Sequence, residues 1–264
     1  MIDFYIKVKQ QEKQNLPFVI YSKPNKNELE GYFQKDDHLY FAESFAEKGF
    51  VFAPFGGSQM LLIPKKKSQQ WKTILPEIEV QLNKNFENNS TDLKAKAHFN
   101  TIVQKAIDSI NNGNFNKVVL SRCELIDLKD FDLISVFEKL VYTYPTAFTY
   151  CWYHPKIGLW MGATPERLLK SKKNKFLTTA LAGTKVYQET KKVIWESKEI
   201  EEQHFVTNYI IDNIEALTSE VNVSSPYTIK AGNLLHIKTD IEGQLNQNSC
   251  LKQIVNALQP APAV

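Results

Sequence analysis

The chain has 264 residues, 43% of them hydrophobic and 23% charged, with a formal net charge of +3. That suits one soluble globular unit, or one domain of two lobes, long enough to bury a large core. The charge is too mild to imply nucleic acid, and no stretch approaches the ~20 apolar residues of a membrane span, so neither partner is expected.

The three cysteines, Cys123, Cys151 and Cys250, are odd in number and lack metal-ligand spacing, which argues against a disulfide framework or a zinc site and for reduced thiols in a cytoplasm. Residues 1–15 carry Asp3, Lys7, Lys9, Glu12 and Lys13 among their apolar residues, so no signal peptide is expected there.

In chain order, the first ~95 residues read as strands and turns. Residues 18–21 form a strand closed near Pro24 and Asn25; 40–42, 49–55 and 60–63 are further strands, and Asn/Ser-rich 83–92 is a linker candidate. Residues 93–111 have helical spacing (Phe99, Ile102, Val103, Ala106, Ile107, Ile110) and stop at Asn111-Asn112-Gly113. A compact apolar strand is expected over 117–122, a helix over 133–142, and strands over 147–154, 159–162 and 177–182, the last turning at Gly183. A long amphipathic helix is predicted over 200–218, with Phe205, Tyr209, Ile210 and Ile214 on one face. Residues 234–241 alternate like a half-buried strand, and 250–258 form a short helix. The lysine runs at 65–67 and 170–173 read as solvated turns. Consecutive strands with irregularly interspersed helices argue for an α+β fold with large antiparallel sheets, and the absence of G-x-G-x-x-G and P-loop motifs removes the common nucleotide-binding readings.

Several residues invite chemistry, each with a plainer alternative. Lys117 opens an apolar strand; if buried, its ammonium would be a candidate base, and otherwise it is a strand-end lysine reaching water. Glu166 follows Gly162-Ala163-Thr164-Pro165 and is a candidate general acid, or an acid at a helix start. Glu199 and Glu202 share one helix face, where a hard cation such as Mg²⁺ would fit, although Glu196 and Glu201 nearby also fit a solvated acidic face. His236 lies in an apolar strand, as a site residue or a satisfied core histidine. Gly183 and Thr184 either present backbone N–H groups to an anion or form an ordinary strand-ending turn.

Taken in order, six segments resemble the chorismate-utilising enzymes, the family of isochorismate synthases, anthranilate synthase component I, aminodeoxychorismate synthase component I and salicylate synthases. They are Lys117-Val118-Val119-Leu120-Ser121-Arg122, Gly162 to Leu168, Ala180-Leu181-Ala182-Gly183-Thr184, Lys198-Glu199-Ile200-Glu201-Glu202-Gln203-His204, Leu235-His236-Ile237-Lys238-Thr239 with Gly243, and Leu258-Gln259-Pro260-Ala261-Pro262-Ala263-Val264. The match covers roughly 96–264, and residues 1–95 are consistent with the family's variable N-terminal part. The resemblance implies the anthranilate synthase component I-like fold, large antiparallel sheets with flanking helices, here incomplete. The family's sequences continue well past the Ala-Val segment, with further metal-binding glutamates and the Arg, Tyr, Gly and Lys that grip substrate carboxylates.

The resemblance also implies roles. Lys117 matches the base that activates water for attack at C2 of chorismate, and Glu166 the acid that protonates the departing C4 hydroxyl. Glu202, with Glu199 beside it, matches half of a Mg²⁺ site for the ring carboxylate. His236 matches a histidine near the leaving group, and Gly183, Thr184, Ala263 and Val264 match pocket-lining positions. A lysine at 117 marks the water-activating branch, which the aminating relatives lack, and the small Ala263 stands where salicylate synthases carry Thr. An isochorismate synthase is therefore expected, isomerising chorismate without a lyase step, as a monomer or weak dimer serving menaquinone or siderophore synthesis. The alternatives are a non-catalytic chorismate-fold binding protein and a salicylate-forming or aminating enzyme. Gln259 and Ala261 depart from the family's usual His and Thr.

Overall fold

A computed structural model describes residues 1–56, 59–76, 92–115, 117–189, 193–231 and 234–259. The chain divides into two compact units, Met1–Val80 with Asp132–Ala261, and Gln81–Phe131 with Pro262–Val264. The larger unit opens with helix α1 (Ile2–Lys13) and strands β1 (Phe18–Ser22), β2 (Glu28–Gln34), β3 (Tyr40–Ala42), β4 (Gly49–Phe52), β5 (Met60–Pro64) and β6 (Ser68–Ile74). Helix α2 (Leu93–Asn111) belongs to the smaller unit. The larger unit resumes with α3 (Leu133–Thr143), β7 (Phe148–His154), β8 (Gly158–Thr164), β9 (Lys170–Lys172) and β10 (Lys175–Val186). It closes with α4 (Ser197–Ile214), β11 (Thr218–Val223), β12 (Tyr227–Ala231), β13 (Leu234–Leu245) and α5 (Leu251–Leu258). Every strand pairing among the described residues is antiparallel. The fold is α+β, as the irregular alternation of elements predicts.

The first sheet runs β6-β2-β1-β7-β8, so strands from either side of residue 95 share it. All five residues of β1 are buried, because the strand is covered on both faces. Phe18 and Ile20 point to a core built with Phe4 and Val8 of α1 and Leu133, Phe137 and Val141 of α3. Val19 and Tyr21 point the other way, to Ile63 and Trp152, with Phe50, Phe52 and Leu61 of the small β3-β5-β4 sheet packed against them. This two-sided burial explains why 18–21 is apolar throughout instead of alternating.

The second sheet runs β11-β13-β10-β9, with β12 also paired to β13. Here one face is covered and the residues alternate. Phe176, Ala180 and Ala182 of β10 and Leu235, Ile237 and Ile241 of β13 are buried, together with Val206, Ile210 and Ile214 of α4 and Ile254 and Leu258 of α5. Gln203 of α4 donates to Thr239 of β13 and, at 2.8 Å, to Thr207, which fixes the helix on that face.

Several expectations need correction. Residues 117–122 form no strand: Val118 and Val119 are 42% and 50% exposed, and no described residue pairs with the segment. A strand needs a partner for its backbone groups, and apolar composition alone does not supply one. Next, the strand-and-turn reading of residues 1–95 omits α1, whose buried stripe is only Phe4, Val8 and Gln11, while the exposed Ile2 and Ile6 blur the helical period. In α4 the buried face is Gln203, Val206, Thr207, Ile210 and Ile214, while Phe205 is exposed; two polar residues in the stripe hide its true phase. Finally, β10 does not turn at Gly183 but runs through it to Val186. The linker candidate 83–92 lies outside the described residues except for Asp92, which caps α2 by accepting from Lys94 N and Ala95 N. Both lysine runs are exposed, as expected, but Lys170–Lys172 pair with β10 as strand β9 and do not form a plain turn. Among the described residues no helix is long and apolar enough to cross a membrane.

Candidate active site

The site is organised by one extra residue. Along β10 the even-numbered side chains of Phe176, Thr178, Ala180 and Ala182 are buried. Strict alternation would send Thr184 to the same face. Instead the register with β13 shifts between Ala182, opposite Ile237, and Thr184, opposite His236. Gly183 is the bulged residue, at φ +74, in the left-handed region glycine enters without strain. The bulge flips the phase: Thr184 emerges on the open face beside His236, its hydroxyl 3.1 Å from Nδ1. Lys185, opposite buried Leu235, turns toward α4.

Glu166 stands just past β8, its N–H donating to Thr164 Oγ1 at 3.2 Å. It remains accessible, yet the protein packed around it raises its carboxyl above the usual range, and the charge of His236 partly offsets that rise. Glu166, His236 and Thr184 thus form one electrostatically linked group at the open face of the second sheet.

At the start of α4, Glu199 Oε2 accepts the Glu196 N–H at 3.0 Å, in the manner of a capping box. Lys185 Nζ lies 3.0 Å from Glu196 Oε1 and 3.5 Å from Glu199 Oε2, and donates to Ile194 O at 2.9 Å. Burial alone would raise the Glu199 carboxyl, but the Glu196 N–H and the Lys185 ammonium hold it below the usual range. A Cβ on Gly183 would stand 3.1 Å from both Cβ and O of Glu199, so the bulge and the helix start are in close contact. Glu202 is half-buried one turn further along. The two carboxylates are hard oxygen donors on one helix face, a donor set that suits Mg²⁺. Among the described residues no third His, Cys, Asp or Glu gathers with them.

Lys117 lies in the smaller unit, half-buried. Ala263 and Val264 lie outside the described residues.

A model of the chorismate binding enzyme family matches residues 58–264. The chain belongs to that family. It is 28% identical over 171 residues to the salicylate biosynthesis isochorismate synthase of Pseudomonas aeruginosa, a match covering 61% of this chain and 36% of that protein. It is 28% identical over 178 residues to isochorismate synthase EntC of Escherichia coli, covering 63% of this chain and 45% of that protein. The matched stretch therefore spans less than half the length of these relatives. The fold is similar to that of DhbC from Bacillus anthracis, with TM-score 0.70 at 16% identity over 98% of this chain and 76% of that one. It is also similar to MenF, the menaquinone-specific isochorismate synthase of Escherichia coli, with TM-score 0.68 at 17% identity over 94% and 69%.

Two groups in this chain escape sequence reasoning. One is Lys185, hidden because a strand ending at Ala182 gives no reason to ask which way residue 185 points. The other is a charged patch on the open face: Tyr227 donates to Asp240 Oδ2 at 2.7 Å, and Lys238 Nζ lies 2.9 Å from Asp240 Oδ1. Burial would raise the Asp240 carboxyl, but these two bonds, with the nearby Arg167, hold it below the usual range. Its signal was available, since 236, 238 and 240 share one face of an alternating strand.

Proposed function

We propose that this chain is an isochorismate synthase, converting chorismate to isochorismate by attack of water at C2 and loss of the C4 hydroxyl. The observation that carries the reading is Glu166, a carboxyl raised by its surroundings and set beside His236. Giving a proton to a poor leaving group is favoured by a raised carboxyl, and the protein packed around Glu166 raises it. His236, oriented by Thr184, would stand near the departing oxygen. The role of Lys117 as the base that takes the proton from water rests on the family resemblance. Deprotonation is needed on the attacking side because water is a poor nucleophile.

Glu202 and Glu199 would hold Mg²⁺, which when bound neutralises the ring carboxylate of the substrate. Gly183 and Thr184, and by the family resemblance alone Ala263 and Val264, are assigned to the substrate pocket. The sequence relatives named as isochorismate synthases support this reading over an aminating one.

The test is product analysis after incubating the protein with chorismate and Mg²⁺, with and without ammonium. Isochorismate that disappears in Lys117→Ala and Glu166→Gln supports the proposal. Anthranilate or aminodeoxychorismate, or chorismate bound but unchanged, refutes it.

A further inference from the structure

We infer that Lys185 is a resident counter-cation at the Mg²⁺ site, holding Glu199 in the absence of metal and setting how much Mg²⁺ is needed to load it. The inference rests on the reading of Glu199 and Glu202 as metal ligands.

The Gly183 bulge is what delivers this lysine. Without the extra residue, 185 would fall on the open face with its ammonium in water. With it, Lys185 sits opposite buried Leu235 and turns toward the first turn of α4. There the ammonium is fixed on three sides, by Glu196 Oε1 at 3.0 Å, Ile194 O at 2.9 Å and Glu199 Oε2 at 3.5 Å. Its position is further set by the ring of Trp195, whose centroid lies 5.9 Å from Nζ. Trp195 is itself anchored by donating from Nε1 to Thr228 Oγ1 of β12 at 2.9 Å. The ammonium therefore does not swing away at little cost when a metal arrives.

A divalent ion on Glu199 and Glu202 would sit beside a fixed positive charge and share a carboxylate with it. The repulsion opposes loading even in well-screened surroundings and corresponds to about tenfold in affinity. The shorter contact, to Glu196, is one the ammonium keeps in place when Glu199 is taken by metal. Glu196 is thus the alternative partner that permits the exchange.

The inference is tested by direct binding: Mg²⁺ by calorimetry and Mn²⁺ by electron paramagnetic resonance, on the wild type, Lys185→Met, Lys185→Arg and Glu196→Gln. The expected result is binding about tenfold tighter in Lys185→Met, unchanged in Lys185→Arg, and weaker in Glu196→Gln, where the lysine keeps only Glu199. Metal bound by the wild type with equal or lower affinity in Lys185→Met overturns the counter-cation role while leaving the metal reading intact. Absence of binding in all four proteins overturns both. If Lys185→Met does not fold, Glu196→Gln decides: weaker binding supports the inference and unchanged binding refutes it.

Discussion

The Thr184 hydroxyl meets His236 Nδ1 at 3.1 Å across β10 and β13, a pairing that exists because Gly183 adds one residue to β10. Fixing one ring nitrogen fixes what the other can do. Thr184→Val keeps the shape and removes the bond. It should lower isochorismate formation by up to about a hundredfold through misplacement of the ring, while Thr184→Ser retains activity. Steady-state rates check this, and thermal unfolding should show a loss of no more than about 1 kcal/mol for one exposed hydrogen bond.

Gly183→Ala should destabilise the chain. Alanine at φ +74 costs roughly 1–2 kcal/mol, and its Cβ would press on Glu199 at 3.1 Å. Denaturant unfolding reads the loss. An unchanged midpoint would mean that β10 reaches this face without the bulge.

On the proposed reading, Glu166 trades stability for proton transfer. Its folded pKa is raised, so its contribution to stability is fully present below the ordinary carboxylate pKa and is lost as pH rises through the raised value. The neutral Glu166→Gln should therefore melt above the wild type at neutral pH, with the gain vanishing in acid, while its turnover falls by roughly 10²–10⁴ for loss of the acid. Asp240 behaves oppositely: its lowered pKa gives stability present above the ordinary value and lost as pH falls through the lowered one, so Asp240→Asn should flatten the acid side of the stability profile.

Helix α1 belongs to the main core: Phe4 is 1% exposed and meets Phe33 edge-on at 5.8 Å. Phe4→Ala should cost about 3–5 kcal/mol, read by chemical denaturation. A cost under 1 kcal/mol would show that α1 packs loosely.

Much of this was legible in the residues and some was not, for physical reasons. The doubly covered β1 announced itself as an unbroken apolar run, and the one-turn spacing of Glu199 and Glu202 put both acids on one face of α4. The strand expected at 117–122 failed because composition reports burial and says nothing of whether a neighbouring edge exists to pair with. Lys185 was invisible because the period of two was carried up to Gly183 and stopped there. A glycine between two strand-like stretches signals a bulge as readily as a turn, and only the bulge reverses the faces beyond it. Gln203 hid the phase of α4 because a buried amide looks like surface until Thr239 supplies its partner.

The central claim is that water enters at C2 as the C4 hydroxyl leaves under protonation by Glu166. The most direct measurement is mass spectrometry of the product formed from chorismate and Mg²⁺ in oxygen-18 water. One heavy oxygen at C2 of isochorismate, with product formation reduced by roughly 10²–10⁴ in Glu166→Gln, is the predicted result. Isochorismate without the label, or full turnover in Glu166→Gln, would contradict it.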